Sequence, residues 1–124
     1  MVWTAVALAS SGATGAGVAH AGPPAPCSFT LSPPEVGGGL VTATVELAGC
    51  GPAAGPYSVV ACLQPLDANS VIQCTQAHGS DPAQVAVSYH PGVVYIATGR
   101  GCAAWAGQPP EDDCEILGPL RVTL

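Results

Sequence analysis

The sequence predicts an all-β fold, with short antiparallel strands stacked as a two-sheet sandwich and stapled by three disulfides. Three observations lead there. Apolar residues recur at every second position in short runs, the period of a strand with one buried face. Gly and Pro, 16 and 13 of the 124 residues, separate those runs, as turn residues do in sandwiches and barrels. Six cysteines occupy a short chain with an export-type leader, the count and setting of a disulfide framework.

The clearest strand is Leu40–Leu47, where Val41, Ala43, Val45 and Leu47 fall on one face and Thr42, Thr44 and Glu46 on the other. Before it, Ser28–Leu31 sets Phe29 and Leu31 on one side, and Pro33-Pro34 ends the run. Tyr57–Leu63 aligns Tyr57, Val59, Ala61 and Leu63, with Val60 and Cys62 opposite. Being apolar on both sides, it reads as a central strand. Val71–Thr75, Val85–Tyr89 and Val93–Thr98 follow, and the chain closes with Ile116–Leu117 and the alternation Leu120, Val122, Leu124. No window carries a competing helical repeat. Seven short strands in about 100 residues match an immunoglobulin-like antiparallel sandwich.

The first 21 residues hold no charged side chain, contain the apolar run Val2–Leu8, and end in Ala19-His20-Ala21. That small-x-small ending marks residues 1–21 as a signal peptide and residues 22–124 as one secreted domain. No Lys or Arg precedes the apolar run, so either the true start lies upstream or the leader is atypical. Gly12, Gly15, Gly17 and Pro23-Pro24 leave too short an apolar stretch to span a bilayer.

Charge excludes some partners. Eight carboxylates face only Arg100 and Arg121, and there is no Lys. Nucleic acid binding needs cations to replace counterions along the phosphates, and anionic lipid needs a basic patch. Neither partner is expected. No Cys-x-x-Cys occurs and His78 and His90 are not at zinc-ligand spacing, so no metal or other cofactor is expected. Six cysteines allow 15 pairings. Chain proximity favours Cys27–Cys50, Cys62–Cys74 and Cys102–Cys114. Closing loops of this size stabilises by about 3 kcal/mol each in the loop-entropy model.

Catalysis finds little support. There is no Gly-x-Ser-x-Gly elbow, no free thiol once the cysteines pair, and no lysine. His78, Ser80 and Asp81 are close in sequence, but a triad converges from separate elements. The chain reads as a non-catalytic binding or interaction module. The candidate contact segment is Gly99–Asp113, expected as a disulfide-tied loop between the last two strands. It carries Arg100, Trp105, Glu111, Asp112 and Asp113. On one reading these form a rigid recognition surface. On the other, Trp105 folds back as a lid on one end of the core and the acids are solvated. A third reading presents Gly99-Arg100-Gly101 to a trypsin-like protease as an inhibitory loop.

Two resemblances add to this. Tyr89-His90-Pro91-Gly92-Val93-Val94-Tyr95 resembles the corner of fibronectin type III and related domains. It implies that Tyr95 buries its ring and returns its hydroxyl to backbone near His90. Thr30-Leu31-Ser32-Pro33, Gly39, Val41, Val45, Gly49, Tyr57, Cys62 and Cys74 are similar to the neocarzinostatin-type apoproteins. Those are exported seven-strand sandwiches, so this resemblance implies a small apolar ligand held in a cleft. The pair Cys27 and Cys50 and the longer Cys102–Cys114 segment depart from that pattern.

Overall fold

The computed structural model describes residues 25–107 and 114–124. The expected leader, residues 1–21, lies outside them. The described residues form eight strands and no helix: β1 (Cys27–Leu31), β2 (Glu35–Gly37), β3 (Leu40–Cys50), β4 (Ala54–Pro65), β5 (Gln73–His78), β6 (Ala83–Ser88), β7 (Val94–Trp105) and β8 (Cys114–Thr123). They make two antiparallel sheets. In one, β3 pairs with β1 and β2 along one side and with β6 along the other. The second runs β5-β4-β7-β8.

The strand beyond the expected seven is β2. Pro33-Pro34 ends β1, as anticipated, but Glu35–Gly37 then pairs back onto the start of β3, with Gly37 opposite Leu40. Gly38 and Gly39 make the two-residue turn at φ 61° and 80°. Positive φ at both central positions matches the twist of a tight hairpin, and glycine adopts it without a Cβ penalty.

Alternation places the core. Val41, Ala43 and Val45 of β3, with Phe29 of β1 and Ala83 and Val85 of β6, face Val59, Ala61 and Leu63 of β4 and Tyr95, Ala97 and Ala103 of β7. Tyr57 does not join them. A bulge between Pro56 and Ser58 shifts the register of β4 against β7, turning Tyr57 outward with 51% of its surface exposed. An extra residue in a ladder has this effect on the side chains beside it. The strand expected at Val71–Thr75 begins later, at Gln73, and Val71 and Ile72 are exposed in the connection before it.

Tyr95 is fully buried. Its hydroxyl accepts the His90 N–H at 2.8 Å and lies 3.3 Å from the Ser88 carbonyl, to which it can donate. The ring therefore fills the core while its polar tip satisfies the corner backbone, as the fibronectin-type resemblance implied.

The three disulfides pair as chain proximity suggested: Cys27–Cys50, Cys62–Cys74 and Cys102–Cys114. Each joins residues directly opposite in one antiparallel pair, β1 with β3, β4 with β5, and β7 with β8. None crosses between the sheets. Their effect is to pin outer strands to inner ones. Three disulfides are the mark of a chain that folds in an oxidising compartment.

Candidate functional site

The first part of the segment expected as a loop, from Gly99 to Trp105, is strand, and residues 108–113 lie outside the described residues. β7 continues through Gly99, Arg100 and Gly101 to Trp105, pairing with β4 on one side and β8 on the other. The two glycines permit this continuation. A Cβ on Gly101 would collide with the Phe29 ring, and one on Gly99 would lie 2.5 Å from Val45 Cγ2. Side chains of the opposite sheet therefore rest directly on the β7 backbone. These glycines serve close packing, whereas in sequence they read as loop residues.

Two corrections follow. Arg100, flanked by paired neighbours in a strand with partners on both sides, is not the tip of a convex inhibitory loop. Arg100 and Trp105 also do not share a surface. Five residues apart along one strand, they point to opposite faces and sit about 16 Å apart. Trp105 turns toward the sandwich end and half-buries its ring against Gly51. A Cβ on Gly51 would lie 3.3 Å from Trp105 Cζ3. The Gly51 N–H is held by the Pro26 carbonyl at 3.0 Å, next to Cys27–Cys50. This contact sets the indole beside Gly51 at the sandwich end. Glu111, Asp112 and Asp113 lie outside the described residues.

Arg100 belongs to a different group. Outward from the second sheet, Val60, Arg100 and Ile116 stand side by side in register across β4, β7 and β8, with Cys62 and Thr98 in the neighbouring row. Together with Gly99 they line a shallow depression of about 320 Å³. Its lining is almost wholly apolar, although Thr98 and Arg100 are among the lining residues. Ile116 is 72% exposed. The signal in the sequence was the double-sided apolar pattern of β4 and of Ile116-Leu117. It could not be assembled into one site without the strand order.

Two further depressions are mixed in character. One, about 410 Å³, opens between β5 and β6 and is lined by Leu40, Val71, Gln73, Ala86, Ser88 and His90 among others. The other surrounds Cys27–Cys50. Between β4 and β5 the chain turns on Asp67, whose carboxylate accepts the Ser70 hydroxyl at 2.5 Å and the Asn69 N–H at 3.2 Å. These bonds hold its pKa below the ordinary aspartate value. His78, Ser80 and Asp81 share one turn, with the Asp81 N–H on the His78 carbonyl. Among the described residues, no three His, Cys, Asp or Glu side chains gather as a metal site. No helix there is long and apolar enough to cross a membrane.

One contact was not anticipated. The Ser32 N–H bonds the Thr44 carbonyl, so alternation turns the Phe29 N–H away from β3, and the Glu115 carboxylate accepts it at 2.9 Å. That bond ties the second sheet to the first beside the Phe29–Gly101 contact.

Compared with known proteins, the chain matches no protein-family model and no curated protein.

Proposed function

We propose that this chain is an exported, non-catalytic binding module that carries a small apolar ligand on the outward face of its second sheet, β5-β4-β7-β8. The observation that carries the reading is the apolar depression of Val60, Cys62, Gly99 and Ile116, rimmed by Arg100. The solvent side of an antiparallel sheet is ordinarily polar. A volume of about 320 Å³ falls at the small end of ligand sites. Arg100 is one of two basic residues in a chain of net charge −6, so the ligand this site favours has an apolar body and an anionic or strongly accepting end.

The immunoglobulin-like reading supports the same conclusion. Two stacked antiparallel sheets and a buried tyrosine bonded back to its corner are features of that architecture. The neocarzinostatin-type resemblance implies an apolar cargo. The sheet face is preferred here to a protein-contact surface centred on Trp105, whose ring packs on Gly51. A protease-inhibitor role loses its loop, because Arg100 lies inside β7.

The test is native mass spectrometry of protein secreted by its own source, wild type beside Ile116→Asp. Ile116 is exposed enough that the change spares the core. The wild type is expected to retain a bound small-molecule mass that organic solvent releases, and the variant to lose it. A clean apo mass in every wild-type charge state contradicts the proposal, as does equal retention by the variant.

A further inference from the structure

The three disulfides differ in what surrounds their cysteines. In Cys27–Cys50 and Cys102–Cys114 one partner is buried: Cys27 belongs to the core at 4% exposure, and Cys102 is 6% exposed. Cys62–Cys74 has no buried partner. Cys62 stands half-buried on the outward side of β4, between the inward Ala61 and Leu63, and lines the shallow depression. Cys74, opposite it on the edge strand β5, is exposed.

Those surroundings decide how readily each bond exchanges. An incoming thiolate attacks one sulfur and expels the other as a thiolate, so the attacked sulfur must be reachable and the departing one able to carry charge. Cys50 is exposed and Cys114 half-buried, but attack at either expels a buried partner, Cys27 or Cys102. Burial away from water disfavours the charged sulfur. Attack at Cys74 expels Cys62 on the outer face instead. Arg100 lies on that face, diagonal to Cys62 across β4 and β7, where Thr98 is the direct partner. A cation so placed favours the departing thiolate.

Among the cross-linked outer strands, β5 is also the one the core uses least. Five of its six residues are exposed, and Ala77 is the one that packs against the core. By contrast, β1 carries Phe29, and β8 carries Leu117 and Leu120. We infer that Cys62–Cys74 is a site of thiol–disulfide exchange, opened by a dithiol reductant that attacks Cys74 and removes the covalent tie between β5 and β4. In the first step the thiolate bonds to the Cys74 sulfur, and the Cys62–Cys74 bond breaks with its electron pair on Cys62, which takes up a proton. The second thiol of the reductant then displaces Cys74, and the reductant leaves as its own disulfide. Two electrons and two protons pass from the dithiol to the protein. The exchange needs no bound ligand, so it stands apart from the ligand reading although Cys62 lines the same depression.

Timed reduction of the folded, oxidised protein with dithiothreitol tests this, without denaturant, with iodoacetamide trapping and peptide mass mapping. Cys62 and Cys74 are expected to become alkylated first, roughly tenfold or more faster than the other four cysteines. The species alkylated at those two alone should keep a cooperative thermal transition, because the core contacts remain. Simultaneous labelling of all six overturns the proposal, as does first labelling of either other pair. So does a two-thiol species that has lost its cooperative transition.

Discussion

Gly101 lies beneath the Phe29 ring so closely that no side chain fits between them. In sequence, Gly99-Arg100-Gly101 reads as the end of a strand, because glycine lowers strand propensity and carries nothing to pack. The reason for both glycines lies on β1 and β3, in Phe29 and Val45, which sequence spacing cannot bring near. Replacing Gly101 with Ala should therefore cost about 1–3 kcal/mol by overpacking. Gly49→Ala is the control, since nothing lies within 4 Å of its Cβ position. Urea unfolding of both variants checks the contrast, and equal stabilities would show that Phe29 can yield. Tyr95 was legible where Gly101 was not. Its corner is local, and the bond from the His90 N–H spans five residues of chain.

At the scale of elements, the strands with one clean apolar face were the readable ones. β3 emerges as Val41, Ala43 and Val45 buried against exposed or half-exposed Thr42, Thr44 and Glu46. Strand boundaries were less legible, for identifiable reasons. β2 is three exposed residues held by a Gly-Gly turn, too short to show any period. The bulge at Pro56–Ser58 breaks the alternation that would have buried Tyr57. The cysteine pairing was readable because neighbouring strands in these sheets are short-range in sequence. Cys27–Cys50 closes a longer stretch, 23 residues, than the 12 of each other pair. Removing a disulfide by paired Cys→Ala replacement should cost about 3 kcal/mol, and Cys27–Cys50 about 0.5 kcal/mol more than either of the others. Denaturant midpoints of the three double variants measure this. With a total stability of roughly 5–15 kcal/mol for a domain, any one loss is a large share. A loss near zero would mean that the ladder alone holds the outer strand.

For the whole molecule, the two sheets take different roles. The first contributes Phe29, Val41, Val45 and Val85 to the core and turns outward mostly polar residues, with Gln84 bonded to Thr44, together with the exposed Leu40. The second closes the core with Leu63 and Tyr95 and keeps apolar side chains on its outer side as well. Composition and alternation gave the layers, whereas the strand order gave the face. Gly99–Trp105 of the candidate loop is strand, which puts its arginine on that face and its tryptophan at the sandwich end. The row Val60, Arg100, Ile116 is the proposed ligand site. The most direct measurement is an amide and methyl NMR titration of the folded, oxidised protein with anilinonaphthalene sulfonate, an aromatic probe with an anionic end. The account predicts saturable shifts confined to Val60, Cys62, Thr98, Arg100 and Ile116. Shifts centred instead on Trp105 and Gly51, or none at saturating probe, would contradict it.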